Sequence, residues 1–349
     1  MYSSGLKLLH FLEPELAHYI AIKFLKFSRR KKFRFESDRL KTEVAGLNLY
    51  HPLGLSGGFD KNGEIIQASF NFGASFTEIG AITPLPQKGN QKPRVFRLWE
   101  DLGLINRLGF NNHGIDAVQK RVSEARPLGI VGINIGANRK SENKLEDYVN
   151  VLKKCEKHFD FATINISSPN TPNLRILQSK NNLTDLLSAV CEMNNSFSKP
   201  IKIFLKIDPD TNFKRLEEIV EVSVKFKLDG LIATNTTVSR NNLNSKNKNE
   251  KGGLSGRPIF SISTKRLAEL FSISSGEIPL IGVGGIFSGE DAYEKIKAGA
   301  SALQVYTAIG YKGIGVIEEI VRSLDTLLEK DGVQSIKSVT GIDHKKWLS

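Results

Sequence analysis

Residues 161–173 read Phe-Ala-Thr-Ile-Asn-Ile-Ser-Ser-Pro-Asn-Thr-Pro-Asn. The opening residues have the apolar, β-branched character of a buried strand. The remainder supplies hydroxyls, carboxamides and prolines, which end a strand and fix the backbone just past it. Asn165 and Asn170 each carry a carboxamide that both donates and accepts, and Ser167 and Ser168 set two hydroxyls between them. The array suits a small planar ligand bearing several C=O and N–H groups, with one hydroxyl beside it. Ser, Asn and Pro are also ordinary turn residues, so the rest of the chain has to separate the two readings.

Working outward, the same strand recurs. Short apolar segments lie at Leu53–Leu55, Phe76–Ile79, Ile130–Ile135, Phe161–Ile166, Ile201–Ile207, Gly230–Thr234, Leu280–Val283 and Ala302–Val305. Helical periodicity lies between them, as in Leu183–Phe197, Phe213–Phe226 and Glu290–Ala298. Eight strand–helix units predict a (β/α)8 barrel; a doubly wound open sheet is the alternative, but eight units fill a barrel without remainder. Function then belongs at the C-terminal strand ends. Two connections, 80–112 and 235–259, are long enough to be lids or binding loops, and the Asn- and Lys-rich stretch Ser239–Lys251 reads as mobile and solvated.

The 349 residues are 40% apolar and 25% charged, the balance of a soluble globular protein. Cys155 and Cys191 are too few and too far apart for a disulfide framework or a zinc site, and no metal is expected. Both fall in helix-like segments and read as buried thiols in a reducing compartment. Within residues 1–35, eight Lys and Arg stand against Glu13 and Glu15, half of the net charge of +12 in a tenth of the chain. Leu6–Leu12 and a second segment opening at Glu13-Pro14-Glu15 carry apolar residues at helical spacing, and Lys23 and Lys26 keep either from spanning a bilayer. No base-reading motif accompanies the charge, so an anionic membrane surface rather than nucleic acid is the expected partner. Residues 33–52 read as a small strand pair (Phe33–Phe35, Leu40–Val44, Leu47–Tyr50).

Glycines follow the seventh strand (Gly282-Val283-Gly284-Gly285) and Tyr306-Thr307 follows the eighth, with a helix expected from Gly313. In a barrel these two strand ends form the usual phosphate site. Gly252–Pro258 adds a second glycine-rich segment on that face. A phosphate handle beside a polar pocket points to flavin mononucleotide (FMN). Lys206, in the apolar run Phe204–Ile207, is placed to stabilise a reduced flavin anion.

Gly57-Gly58-Phe59-Asp60-Lys61, Asn106-Arg107-Leu108-Gly109-Phe110-Asn111, Asn165–Asn170, Ala233-Thr234-Asn235-Thr236 and Gly252–Pro258 together resemble the dihydroorotate dehydrogenase family, in order and over essentially the whole chain. A serine at position 168 and a basic helix pair resemble its membrane-associated, quinone-using class; the soluble class has a cysteine there. The resemblance implies oxidation of dihydroorotate to orotate in pyrimidine biosynthesis. Ser168 would be the base toward C5, and flavin would take the C6 hydride. Lys61, Asn106, Arg107, Leu108, Gly109, Phe110, Asn165, Asn170, Asn235 and Thr236 would contact substrate. Gly57, Gly58, Phe59, Asp60, Lys61, Ala81, Asn134, Asn165, Lys206, Thr234, Gly256, Gly285, Tyr306 and Thr307 would contact one FMN per chain. His18, Arg97 and Tyr306 would line a quinone tunnel.

The chain departs from that family's pattern at Ala81, Asn173 and Thr307-Ala308, and no chemical role is lost at any of them. The resemblance also implies a monomer whose helix pair (1–35) precedes the FMN-binding barrel (36–349), peripheral to the cytoplasmic face of a bacterial cell membrane. A related flavin enzyme with another acceptor would carry Cys at 168 or an iron–sulfur Cys cluster. A non-catalytic flavin-binding protein would have lost the base or Lys61.

Overall fold

The computed structural model describes residues 2–28, 35–125, 127, 129–171 and 174–348, with side chains from residue 7 onward. Helices α1 (Tyr2–Phe11) and α2 (Pro14–Lys26) come first, then the hairpin β1 (Thr42–Val44) and β2 (Leu47–Leu49). Strand β3 (Leu53–Leu55) leads through α3 (Ile66–Asn71) to β4 (Phe76–Ile82). The pair β5 (Val95–Leu98) and β6 (Gly103–Asn106) precedes α4 (Gly114–Ala125) and β7 (Ile130–Ile135). There follow α5 (Lys144–Leu152), β8 (Phe161–Asn165), α6 (Lys180–Asn195), β9 (Lys202–Ile207), α7 (Phe213–Lys225) and β10 (Gly230–Ala233). The chain ends with β11 (Gly253–Gly256), α8 (Phe260–Ile273), β12 (Leu280–Val283), α9 (Gly289–Lys297), β13 (Ala302–Val305), α10 (Thr307–Lys312) and α11 (Val316–Lys330).

Strands β3, β4, β7, β8, β9, β10, β12 and β13 close into a parallel barrel, with Leu303 opposite Leu53 where the ends meet. All eight are the expected strands. The floor is packed by large-against-small pairing. Phe76, Phe161 and Phe204 fill the interior where glycines leave room: a Cβ at Gly54, Gly132 or Gly230 would lie 2.5, 2.0 and 2.6 Å from these rings. Val44 and Leu49 of the β1–β2 hairpin join that cluster and plug this end. Of the expected strand pair, residues 33 and 34 lie outside the described residues, and Asp38–Leu40 is a 3-10 turn rather than strand.

The two long connections differ from expectation. Strands β5, β6 and β11 form a three-stranded antiparallel sheet over the barrel mouth, with Leu254 opposite Ile105. The stretch expected to be mobile is tied to it. The Asp101 carboxylate accepts the N–H groups of Asn244 (2.9 Å) and Ser245 (3.0 Å), and Arg240 donates to the Glu250 and Gly252 carbonyls. Cys155 is buried in the turn after α5, not in a helix, and Cys191 on α6 is half-buried. Gly313 ends α10 instead of starting a helix.

Helix α2 is capped by the Glu13 carboxylate, which accepts from Glu15 N (3.0 Å) and Leu16 N (2.8 Å), with Pro14 in the first turn. Arg94 grips Glu15 through two hydrogen bonds of 2.9 and 2.6 Å, and both side chains are largely buried (6% and 17% exposed). Ala17, Ile22 and Leu25 face the barrel. Leu16, Tyr19, Ile20, Phe24 and Phe27 form an exposed stripe on the same helix and its end, joined by Leu8 and Phe11 of α1. Among the described residues no helix is long and apolar enough to cross a membrane.

The Arg94–Glu15 pair predicts how the hairpin detaches. Glu15→Ala leaves a buried guanidinium without its carboxylate, a loss of about 1.5–3 kcal/mol for a charged hydrogen bond. Hydrogen exchange across residues 14–26 should accelerate by roughly one to two decades while the barrel's Tm barely moves. Although burial opposes it, Arg94 and Lys92 hold the Glu15 carboxyl below its ordinary value. That contribution is therefore present above the ordinary carboxylate range and is lost as pH falls through the lowered value. Unchanged exchange in the variant would show that apolar contacts alone hold the helix.

Candidate active site

The C-terminal ends of the barrel strands converge on one cavity of about 1040 Å³, its open mouth included. It is lined from all sides: Gly57 after β3, Gly80 and Ala81 on β4, Asn134 on β7, Asn165 on β8, Lys206 on β9, Thr234 after β10, Gly284 and Gly285 after β12, Tyr306 and Thr307 after β13. Loops bring Lys61, Leu108, Gly109, Phe110, Asn111, Ser168, Asn170, Asn235 and Thr236 to the same space, and the ends of β6 and β11 bring Asn106 and Gly256.

The base of the cavity is organised by Glu78, fully buried on β4. Its carboxylate accepts from Asn134 Nδ2 and Gln304 Nε2, both at 2.6 Å, and lies 4.0 Å from the Lys206 ammonium. A carboxylate only accepts, so Asn134 must turn its NH2 toward Glu78 and its C=O away. That C=O accepts from Asn165 Nδ2 at 2.8 Å. The Asn165 carbonyl then accepts from Asn235 Nδ2 (3.2 Å) and Ser167 Oγ (3.2 Å). One buried charge thus fixes the orientation of three carboxamides in series.

The two serines separate along this chain. Ser167 is absorbed, donating to Asn165 and accepting from Asn235 Nδ2 at 3.0 Å. Ser168 lines the cavity; its Oγ accepts the Asn170 N–H at 3.3 Å, and its hydrogen goes to no acceptor among the described residues. Asn170 Nδ2 donates to Asn106 Oδ1 at 3.3 Å, which leaves the Asn106 NH2 and the Asn170 carbonyl open to a ligand.

Two ammonium groups face the cavity. Burial lowers Lys61 to about 8, against the pull of Glu15 and Asp60; its Nζ donates to the Gly58 carbonyl at 2.7 Å. Burial also lowers Lys206, with Glu78 opposing. From Lys61 outward runs an edge-to-face series of rings: His18 on Phe59 (centroids 5.1 Å apart) and Phe59 on Tyr306 (5.9 Å). Burial and the nearby Lys61 push His18 down to about 3, so the ring is neutral. The series joins α2 to the cavity wall.

Not every expected residue reaches the cavity. Phe59 sits behind its wall, between His18 and Tyr306. Asp60 holds the backbone of its own turn, accepting from the N–H groups of Asn62, Glu64 and Ile65. Arg107 points to Glu250 (2.7 Å) and to the Pro93 and Lys251 carbonyls at the rim. Arg97, expected beside a quinone tunnel and not in the cavity, caps the end of α1 through the Leu12, His10 and Leu9 carbonyls. Conversely, Glu78, Gln304, Ser56, Asn111 and Ser255 belong to the site or its base and were missed. Glu78 and Gln304 carried a usable signal, a polar residue inside an apolar strand, the same one that marks Lys206.

The lining can take a flavin. A Cβ at Gly57 would lie 2.4 Å from Glu78 Oε1, so only a glycine lets this cavity-lining turn sit over the buried carboxylate. Gln304 Oε1 and Asn111 Oδ1 are buried and lack a partner among the described residues. Gly285 (φ +78°) and the Thr307 and Ala308 N–H groups that open α10 offer donors to an anion, the Ile309 N–H being taken by the Tyr306 carbonyl.

The sequence pattern of the family described as dihydroorotate dehydrogenase matches residues 39–328. The chain is 46% identical to dihydroorotate dehydrogenase (quinone) of Cereibacter sphaeroides, over 99% of this chain and 98% of that one. It is 43% identical to dihydroorotate dehydrogenase (quinone) of Agrobacterium fabrum, over 99% and 97%. A crystal structure of DHODH from Eimeria tenella in complex with ferulenol superposes with a TM-score of 0.92 at 35% identity, covering 96% of each chain. Neither half of the barrel nor the N-terminal helices fall outside these matches, and the chain belongs to the dihydroorotate dehydrogenase family, in its quinone-dependent class.

Proposed function

We propose that this chain oxidises dihydroorotate to orotate, holding FMN against the Glu78-centred base of the cavity and passing the electrons to a membrane quinone. The observation that carries the reading is the Ser168 hydroxyl, which enters the cavity with its proton uncommitted, among Lys61 and ordered carboxamides. FMN, when bound, supplies the acceptor for the C6 hydride and relays two electrons to quinone. Gly57, Ala81, Asn134, Lys206, Thr234, Gly256, Gly285, Tyr306 and Thr307 would hold it.

The protein's own part is positioning and proton management. Lys61 meets the substrate carboxylate, and the open Asn106 and Asn170 amide groups meet the ring C=O and N–H groups. Ser168 takes the C5 proton. A serine is a weak base at its free pKa, so as Oγ takes that proton its own hydroxyl proton leaves to water at the open cavity mouth, and the Asn170 N–H on Oγ assists that departure by stabilising negative charge on the oxygen. The neutral His18, Phe59 and Tyr306 rings form an apolar route from α2 toward the cavity, suited to a quinone ring. The exposed stripe on α1 and α2 would rest in a membrane interface, and the Lys and Arg residues that follow in sequence between 29 and 34, outside the described residues, add the charge that anionic headgroups attract. The helix pair and the barrel would then be separate working parts of one peripheral, monomeric enzyme.

Two outcomes test the chemistry. Ser168→Ala should keep bound flavin yet slow its anaerobic reduction by dihydroorotate by roughly two to four decades, the range for loss of a general base. Near wild-type reduction would place the base elsewhere. Lys61 gives a pH signature: its free-state value of about 8 rises when an anion binds, so orotate affinity should fall as pH increases through 8. Titrating orotate into wild type and Lys61→Met from pH 6.5 to 9.5 checks this, and a wild-type affinity that stays flat would remove Lys61 from the carboxylate site.

A further inference from the structure

Lys295, on α9, is fully buried and outside the cavity lining. Its Nζ donates to Ser263 Oγ at 2.8 Å and Thr264 Oγ1 at 3.0 Å, both on α8, and lies 5.1 Å from the Phe260 ring centroid. No carboxylate pairs with it among the described residues. Asp291, one turn earlier on α9, is committed to Arg257 (2.7 Å) and to the Phe287 N–H (2.9 Å). Burial accordingly drags the ammonium down to about 7, with only Asp291 opposing. A buried cation held by two hydroxyls and a ring has been given hydrogen bonds but no counter-charge, an expensive arrangement unless an anion arrives.

The hydroxyls show from which side an anion would arrive. Ser263 Oγ shares its one hydrogen between the Phe260 carbonyl of its own helix, at 3.0 Å, and the Gly284 carbonyl, at 3.1 Å. In a planar trans peptide the C=O of one residue and the N–H of the next point in opposite directions. With the Gly284 carbonyl turned back onto Ser263, the Gly285 N–H points the other way, toward the cavity that Gly284 and Gly285 line. That N–H has no acceptor among the described residues. The loop lies so close to α8 that a Cβ on Gly285 would be 2.5 Å from Phe260 Cα, so the loop cannot turn over without lifting off the helix.

We propose that Lys295 is a positioning residue for the phosphate of FMN, acting from behind the Gly284–Gly285 loop: its ammonium supplies the charge, and Ser263 aims the loop's N–H groups. The inference rests on the flavin reading above and assigns this buried lysine as its electrostatic support. Lys295 touches the phosphate only through the loop, so its signature is selectivity for a phosphorylated flavin rather than flavin binding in general.

The test is a competition on the full-length holoprotein. Wild type, Lys295→Met and Ser263→Ala are dialysed against mixtures of FMN and riboflavin, and the bound flavins are released and separated. Wild type should retain FMN over riboflavin. Lys295→Met should lower that preference by roughly tenfold, the worth of a charge-assisted contact, and Ser263→Ala by a smaller factor. A purely structural lysine would weaken both flavins together and leave the ratio unchanged, and that result in both variants overturns the proposal. If Lys295→Met does not fold, the Ser263→Ala ratio decides in the same way. A wild-type protein that takes up neither flavin, or does not discriminate between them, would instead overturn the FMN reading itself and the inference with it.

Discussion

A single carboxylate with no access to water, that of Glu78, sets the order of the barrel's upper end. An isolated charge at that depth is untenable, so each of its lone pairs must be met. Asn134 and Gln304 donate to it, the Lys206 ammonium stands 4.0 Å away as its counter-charge, and Gly57 leaves the space that their convergence requires. Because Glu78 can only accept, the donor and acceptor ends of Asn134, Asn165 and Asn235 follow in turn, and Ser167 is consumed in completing the series. Ser168 and the open ends of Asn106 and Asn170 remain as the groups with unused capacity. Substrate recognition and the base are, on this account, what is left after a buried charge has been satisfied.

All eight barrel strands were legible because each is a short, largely apolar run bounded by glycine or polar residues, and their count alone selected a closed barrel. The sheet over the mouth was not, because Leu254 pairs with Ile105 across about 150 residues and both strands are four residues long. Local pattern carries no information about such a partner. The cavity residues at strand ends were found by position, whereas Asp60 and Arg107 belonged to quoted motifs yet work on the backbone or at the rim. Whether Ser167 or Ser168 faces the ligand depends on which one Asn235 reaches, a tertiary fact.

Helices α1 and α2 raise a different issue, that of a surface apolar on both sides. One face of α2 is committed to the barrel through Ala17, Ile22, Leu25 and the Arg94–Glu15 pair. The opposite stripe from Leu16 to Phe27 is left facing outward. An exposed apolar stripe beside a dense basic segment is the pattern of an element lying in a membrane interface. The ring series from His18 to Tyr306 begins on that same helix and ends at the cavity, so the element that would meet the membrane also reaches the site of electron transfer.

The most direct test of the account is an anaerobic mix of the purified, flavin-bearing protein with dihydroorotate, followed through the flavin's visible absorbance, then addition of a short-chain quinone. The account predicts bleaching by dihydroorotate, reversed by the quinone and not by fumarate or NAD. A bound flavin that dihydroorotate never bleaches would contradict it.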